Sequence, residues 1–262
     1  MWIVSDGIPS LVNMNEVSED DLKWIRQYDE HAEEYDEKIK LYDVLLKTDM
    51  MREREKLMEI VLLKEGSRIV DISIGTASNF IALYKVDPDQ TKKALLYGIE
   101  LSRGMLKVAQ RKLGAKGLNY VLVHADTNKK YPFPKSYFDV VLNTGGINTH
   151  SDIPFVFSEM LRICRPGGLV LVFDEGMSPE QKKTEFGQKI ISQNRLFDYS
   201  PPLDKIPKEV EDLKQWWVMN DTFYAITFRK PKQRNVLTTN SRIPELVKDR
   251  STRVNVDRWE KD

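Results

Sequence analysis

The chain has 262 residues, 41% of them hydrophobic, and a size that fits one large α/β domain with additions. Its 40 basic and 40 acidic side chains give no general field that would attract nucleic acid, and its single cysteine, Cys164, excludes an intramolecular disulfide. No apolar run approaches the roughly 20 residues that span a bilayer, and the first residues lack the pattern of a signal peptide, so we expect a cytoplasmic protein without a membrane span.

The amino-terminal quarter of the chain is predicted to be helical. Apolar and aromatic residues recur every three or four positions over 19–47, which predicts one long amphipathic helix. A second helix is expected over about 50–64, ending near Gly66. We interpret residues 1–64 as a helical lid or cap segment.

Short apolar strands then alternate with helices. Strands are predicted over 67–72, 94–99, 120–124, 138–143 and 169–173. Continuous apolar strands joined by helices indicate a parallel, doubly wound sheet that is covered on both faces. Two further β-like runs around the turn Asn220-Asp221 predict an antiparallel hairpin at the sheet edge. The expected fold is therefore an α/β core over 65–230 with seven strands, mostly parallel, and a polar basic tail over 231–262.

Small residues follow the first strand of this core, at the place where open α/β sheets bind ligands. Ser73, Gly75 and Ala77 would let the backbone of this turn approach a ligand closely, and the next helix directs free N–H groups to the same place. The first and third glycines of the dinucleotide motif G-x-G-x-x-G are missing, which disfavours a nicotinamide-dependent oxidoreductase. Small residues in such a turn can also serve packing alone.

Acidic residues stand at the ends of three consecutive strands. Asp71 lies in the end of the first strand, Glu100 ends the second, and Asp126 follows the third. A carboxylate beside the small-residue turn can accept both hydroxyls of a ribose, and one at the third strand end can accept from an adenine amine. Each acid alone is explained as a loop residue, but acids are seldom buried without a partner, so the three together predict an adenosine site.

Five segments resemble, in the family's order, the class I S-adenosylmethionine-dependent methyltransferases, and most closely the group that includes the ubiquinone/menaquinone-biosynthesis C-methyltransferases. The segments are RQYDEHAEEYDEKI (26–39), RIVDISIGTAS (68–78), LYGIELSRGMLKVAQRKL (96–113), HADTNKKYPFPKSYFDVVLNTGG (124–146) and SEMLRICRPGGLVLVFD (158–174). The resemblance covers roughly 26–175. It implies a Rossmann-like fold, S-adenosylmethionine as the methyl donor, and methyl transfer by in-line displacement.

The resemblance also implies roles for individual residues. Glu100 would hold the ribose and Asp126 the adenine amine. Tyr28 and Tyr35 would lie over the cofactor as part of a lid, although helix packing explains their spacing nearly as well. The full set of predicted cofactor-binding residues is Tyr28, Tyr35, Asp71, Ser73, Gly75, Thr76, Ala77, Glu100, Leu101, Met105, Asp126, Thr127, Asn143 and Thr144.

Two residues around the end of the fourth strand are the catalytic candidates. The resemblance implies that Asn143 would face the reacting methyl group. His150 can act as a base because histidine titrates near neutral pH. The favoured alternative is that His150-Ser151-Asp152 only starts and caps the next helix. The segment 146–150 also lacks the arginine associated with enzymes that act on quinone precursors, which argues against a quinone acceptor.

The predicted function is methyl transfer to a small organic acceptor, aromatic or hydrophobic, by a monomer or a homodimer. No metal is expected, because three histidines and one cysteine supply no spaced ligand set. Two alternatives stay open. One is a regulator or scaffold that binds S-adenosylmethionine or S-adenosylhomocysteine without catalysis, and the other is a methyltransferase that acts on a macromolecule, for which the basic tail is the only support.

Overall fold

A computed structural model of the chain describes residues 3–232, and within that range one mixed sheet organises the fold. The strands are β1 (Ile3–Ser5), β2 (Ile8–Ser10), β3 (Arg68–Ile72), β4 (Leu95–Glu100), β5 (Tyr120–His124), β6 (Phe138–Thr144), β7 (Cys164–Glu175), β8 (Glu211–Val218) and β9 (Phe223–Arg229). Their order across the sheet is β1-β2-β5-β4-β3-β6-β7-β9-β8. The five strands from β5 to β7 are parallel, and β9 and β8 add an antiparallel hairpin at one edge. The predicted doubly wound α/β fold is confirmed.

The predicted count of seven strands is wrong, because the described part of the sheet has nine. The two additional strands form a hairpin over residues 3–10, inside the segment that was predicted to be helical, and Ser10 pairs with His124 of β5. The turn is Asp6-Gly7, and both residues have positive φ. This dipeptide is a strong hairpin signal that the sequence interpretation missed.

Helices cover the sheet and precede it. They are α1 (Glu19–His31), α2 (Tyr35–Leu46), α3 (Met50–Met58), α4 (Ser78–Val86), α5 (Pro88–Lys93), α6 (Arg103–Ala115), α7 (Ile153–Ile163), α8 (Pro179–Lys182) and α9 (Glu185–Gln193). The single helix predicted over 19–47 is wrong, because a 3-10 turn over Ala32–Glu34 separates α1 from α2. Ala32 is buried against α6 there, so the chain bends around that helix. The helix predicted over 50–64 also ends early, at Met58.

Apolar side chains fill a layer on each face of the sheet. Along β3, Ile69 belongs to one buried cluster, while Val70 and Ile72 belong to the other. This alternation follows from the two-residue period of a strand, and it explains why the parallel strands are continuously apolar. No helix among residues 3–232 is both long and apolar enough to cross a membrane.

The described residues belong to one compact unit. The division between a lid segment over 1–64 and a core over 65–230 stays a prediction. The predicted basic tail over 231–262 lies outside the described residues beyond position 232.

Candidate active site

A cleft of about 910 Å³, partly open to solvent, lies at the carboxyl ends of the parallel strands. The turns after β3, β4, β5 and β6 form its floor, and α1 lies over it. The residues of α1 that line the cleft are spaced three and four apart, so they share one helix face. The lining residues are Asp21, Trp24, Ile25, Tyr28, Tyr35, Arg54, Ser73, Ile74, Gly75, Thr76, Ser78, Asn79, Glu100, Leu101, Ser102, Met105, Thr127, Asn128, Thr144, Gly145, Gly146, Thr149 and His150.

The turn after β3 keeps the backbone of a glycine loop although two of its positions carry side chains. Ser73 and Ala77 have φ values of +61° and +64°, beside Gly75 at +54°. Residues other than glycine rarely adopt this region because Cβ crowds the backbone, at a cost of about 1–2 kcal/mol each. The turn therefore holds a strained geometry, which is typical of ligand-binding loops.

Glu100 is held at the tip of β4 by backbone N–H groups from two turns. One carboxylate oxygen accepts from Gly75 N at 3.0 Å, and the other accepts from Leu101 N at 2.8 Å and Ser102 N at 2.9 Å. Burial raises the pKa of Glu100, while these three donors counter the rise. A carboxylate has about four acceptor positions, so this fixed group keeps capacity for a ligand hydroxyl.

Asp71 lies beneath the cleft and does not line it. One of its oxygens accepts from Asn79 Nδ2 at 2.7 Å, and the other, Oδ1, is buried without a hydrogen-bond partner. Burial raises the pKa of Asp71 to about 7. Its influence on the cleft is therefore transmitted through Asn79, which does line it.

Arg54 of α3 supplies a positive charge to the cleft and was not predicted as a site residue. Its Nη1 donates to Asn79 Oδ1 at 2.5 Å and to Thr144 Oγ1 at 2.8 Å. Burial lowers the pKa of Arg54, but an arginine stays charged at neutral pH. The charged run of α3 resembles a solvated helix face, yet Arg54 stands three and four residues before the buried Leu57 and Met58, a spacing that indicates an inward position.

Asp126 lies beside the cleft rather than in its lining. Its carboxylate accepts from Asn128 N at 2.8 Å, and burial raises its pKa, with a smaller contribution from the negative charge of Asp21 on α1. Thr127 does line the cleft, as do Leu101 and Met105. Of the three acids at strand tips, only Glu100 reaches the cleft directly.

His150 lines the cleft and is engaged at both ring nitrogens. Its Nδ1 lies 3.2 Å from Asn128 Oδ1, and its Nε2 lies 3.2 Å from the Nδ2 of the buried Asn143. Burial lowers the pKa of His150 to about 4, so the ring is neutral at neutral pH. The predicted helix cap is confirmed at Asp152, whose carboxylate accepts from Phe155 N at 3.0 Å. The role of His150 as a base stays a prediction.

Aromatic rings from α1 and α2 line the cleft in a row. Trp24 stacks on Tyr28 with ring centroids 5.8 Å apart, and Tyr28 meets Tyr35 edge to face at 6.0 Å. Burial raises the pKa of both tyrosines, so their hydroxyls stay protonated. The two tyrosines thus pack against each other and face the cleft, which combines the two interpretations of their spacing.

Acidic residues beside these aromatic ones contact α6. Asp29 Oδ1 accepts from Gly104 N at 2.7 Å, Glu33 forms a bidentate pair with Arg111, and Asp36 pairs with Lys112 at 2.6 Å. Asp36 also accepts from the hydroxyl of Thr76 in the turn after β3, at 2.6 Å. These contacts fix α1 and α2 over the cleft.

A doubly wound sheet with a small-residue turn after its central strand, an acid at the next strand tip and a cleft above both defines an α/β protein of the Rossmann-like class. Sequence comparison narrows this class, because a profile of the ubiE/COQ5 methyltransferase family matches residues 16–191. The chain belongs to that family, and the predicted family is confirmed.

Individual relatives agree with this result. A demethylmenaquinone methyltransferase of Geobacillus kaustophilus (strain HTA426) is 35% identical over 123 residues, which are 46% of this chain and 50% of the relative. The chain thus spans about half the length of the curated relatives it matches.

Solved structures show the same fold at low identity. One is a geranyl diphosphate C-methyltransferase of Streptomyces coelicolor A3(2), with a TM-score of 0.54 and 13% identity, covering 68% of this chain and 75% of that one. Another is phosphoethanolamine N-methyltransferase 2 of Haemonchus contortus in complex with S-adenosyl-L-methionine, with a TM-score of 0.52 and 18% identity, covering 67% and 51%.

Proposed function

We propose that the protein transfers a methyl group from S-adenosylmethionine to a small organic acceptor. Membership of a methyltransferase family supports the reaction. The main support for S-adenosylmethionine as the donor is the position of the Glu100 carboxylate, which is bonded to Gly75 N in the turn after β3. When bound, S-adenosylmethionine supplies a methyl group that its sulfonium has already activated. The protein then has to align the acceptor and exclude water, rather than perform strong acid–base chemistry.

The residues of the cleft fit the separate parts of this donor. Glu100 would accept from one ribose hydroxyl through its remaining acceptor position, and Asp126, which lies beside the cleft, would turn toward it to accept from the adenine amine. Leu101 and Met105 would flank the adenine ring. Arg54 would pair with the carboxylate of the methionine part, since a guanidinium held by two side chains is well placed to bind an anion.

Water exclusion is assigned to the aromatic row on the lid segment. Trp24, Tyr28 and Tyr35 present ring surface to the cleft, and their protonated hydroxyls add no charge near the donor. We propose that this row covers the donor when the acceptor is bound. Asn143 and Thr144 would lie nearest the reacting methyl group, with Asn143 acting through His150.

The acceptor is proposed to be a small aromatic or hydrophobic molecule. The relatives are named for demethylmenaquinone, so a quinol of this type is the first acceptor to test, although segment 146–150 lacks an arginine. His150 would place a neutral ring beside the acceptor rather than a positive charge, because burial holds its pKa low while Asn128 and Asn143 engage its two nitrogens.

Calorimetry with S-adenosylhomocysteine tests the donor site. Glu100→Gln should weaken binding by about 10- to 150-fold, because a hydrogen bond to a charged group contributes about 1.5–3 kcal/mol. Glu209→Gln, which changes an exposed acid, is the matched control and should bind like the unchanged protein. No affinity of the unchanged protein for S-adenosylhomocysteine would overturn the proposal.

Transfer of a labelled methyl group to a panel of quinols, phenols and other small aromatics tests catalysis. Tight binding of S-adenosylhomocysteine without any methylated product would instead favour a regulator or scaffold. We also propose that the protein acts in the cytoplasm, as a monomer or homodimer without a nucleic-acid partner, with residues 1–64 as its lid. Light scattering on the purified protein tests the oligomeric state.

A further inference from the structure

A second cleft, of about 940 Å³ and partly open to solvent, lies where the parallel strands begin, at the end of the sheet opposite the candidate active site. Arg68 begins β3, Asp139 lies at the start of β6, and Arg165 lies at the start of β7. Parallel strands place their amino ends together, so this cleft is separated from the candidate active site by the length of the strands. The described residues that line it are Ile60, Leu62, Lys64, Glu65, Gly66, Ser67, Arg68, Asp139, Val140, Arg165, Gly167, Leu169 and Arg229.

Positive charge exceeds negative charge in this lining, with four basic side chains and two acidic ones. Both oxygens of Asp139 are occupied, one by Arg165 Nε at 2.5 Å and the other by the backbone N of Arg68 at 2.8 Å. Glu65 lines the cleft, and its carboxylate lies 3.8 Å from Lys93, a residue that does not line it. Arg165 is thus ion-paired with Asp139, and Arg229 lies 3.8 Å from Asp212, whereas no ion pair within 4.0 Å involves Lys64 or Arg68 among the described residues. The lining keeps a net positive charge through these two side chains.

The arginines keep hydrogen-bond donors for a ligand. Arg68 lies over the ring of Tyr137 at 4.3 Å, and Arg229 Nη1 donates to Gly167 O at 3.1 Å. Each guanidinium has five N–H donors, and these contacts, like those of Arg165, occupy only part of them. A set of guanidinium groups with free donors around a cavity is suited to bidentate binding of phosphate.

One wall of the same cleft is aliphatic. Leu62 is 81% exposed and Ile60 is 38% exposed, and both lie in the loop that connects α3 to β3. Val140 and Leu169 extend this apolar surface into the cleft. An exposed leucine beside clustered basic groups matches a ligand that has both an anionic and an apolar part.

We propose that this second cleft binds the phosphate group of an amphiphilic molecule. Lys64, Arg68, Arg165 and Arg229 pair with the phosphate, and the apolar part of the ligand lies against Leu62. This site is independent of the proposed methyl transfer, because it lies at the opposite ends of the strands.

Calorimetry with inorganic pyrophosphate tests the charged half of the site, with saturating S-adenosylhomocysteine present to occupy the active-site cleft. The unchanged protein should bind saturably. Arg229→Gln should weaken binding about fivefold, and the double change with Arg165→Gln should weaken it more than tenfold. Arg195→Gln, an exposed arginine outside the cleft, is the matched control and should have no effect. Retained binding of S-adenosylhomocysteine shows that each variant is folded, and the single Arg229→Gln variant suffices if the double one is unstable.

Monomeric dihexanoyl phosphatidic acid tests the apolar half. It should bind more tightly than pyrophosphate, and Leu62→Ser should reduce its affinity about tenfold while leaving pyrophosphate binding unchanged. Vesicles of phosphatidylcholine with and without phosphatidylglycerol then distinguish the source: binding to anionic vesicles assigns a bilayer lipid, and binding to the monomer alone assigns a free amphiphile. The proposal is overturned if pyrophosphate does not bind saturably, if Arg195→Gln weakens binding as much as Arg229→Gln, or if Leu62→Ser changes nothing.

Discussion

Gly104 of α6 lies in close contact with α1, and replacing it tests how the lid segment is held. A Cβ atom at Gly104 would lie 2.9 Å from Asp29 Cα, 3.0 Å from Asp29 O and 3.1 Å from Ala32 Cβ. Two of these neighbours are backbone atoms of α1, which cannot turn away as a flexible side chain can. Gly104→Ala should therefore push α1 outward and loosen its contacts over the cleft.

A second glycine in the same helix supplies the matched control. A Cβ atom at Gly114 would meet Tyr120 Oη at 3.6 Å, which is ordinary contact. Both substitutions gain up to about 1 kcal/mol in helix propensity, whereas only Gly104→Ala pays the overpacking cost of about 1–3 kcal/mol. The difference in free energy of unfolding between the two variants should thus be about 1–3 kcal/mol, with Gly104→Ala the less stable.

Urea denaturation measures that difference, and hydrogen exchange shows where it acts. Amides of residues 19–46 should exchange faster in Gly104→Ala than in Gly114→Ala, and S-adenosylhomocysteine should bind more weakly. Equal stability and equal exchange in the two variants would refute the close contact between α1 and α6.

Three further predictions follow from the site. Because burial raises the pKa of Asp71 from 3.8 to about 7, the native state holds this proton more tightly than the unfolded chain, so its contribution to stability falls as the pH rises through that range. In urea denaturation, the free energy of unfolding should fall less between about pH 5 and about pH 8 in Asp71→Asn than in the unchanged protein. An equal fall in the two proteins would contradict this. Because burial lowers the pKa of His150 to about 4, NMR of its ring nitrogens should show a neutral imidazole down to about that pH, and a midpoint near 6.5 would count against the burial. Ser73→Gly should stabilise the protein by roughly 0.5–1 kcal/mol, because the strain at a φ of +61° is relieved by more than the unfolded chain gains in flexibility. A lower free energy of unfolding in urea would contradict the strain at this residue.

The central sheet could be predicted because its strands carry a strong local signal. The parallel strands are short apolar runs, and most are joined by helices, with β5 and β6 joined by a loop. Burial on both faces makes these runs continuously apolar, which distinguishes them from the amphipathic helices. The amino-terminal hairpin was missed because three-residue strands such as Ile3–Ser5 provide too few positions for an alternation to show. Only the Asp6-Gly7 turn indicated it. The break at Ala32–Glu34 depends on packing against α6, which the local periodicity does not encode.

The candidate site was predicted at strand tips, where topology alone brings residues together. Glu100, Gly75 and Thr144 reach the cleft for this reason. The position of a residue at a strand tip does not determine whether its side chain points into the cleft or into the core. Asp71 was predicted to belong to the cleft for this reason, but it lies beneath it. Arg54 comes from a helix outside the sheet, and its approach to Thr144 is a tertiary contact between residues 90 positions apart.

The lid segment shows most clearly why sequence periodicity leaves function open. Trp24 and Tyr28 repeat at four residues on the face of α1 that lines the cleft. Asp29 of α1 and Glu33 of the following 3-10 turn are also four residues apart, and both contact α6. A helix that buries its aromatic stripe and solvates its acidic stripe has the same pattern, since both stripes follow from 3.6 residues per turn. Here Asp29 accepts from the first turn of α6, Glu33 pairs with Arg111 while both stay largely exposed, and the aromatic rings face the cleft. The decisive information is Gly104, whose missing side chain lets the acidic face come close enough to α6 for Asp29 to reach its first turn.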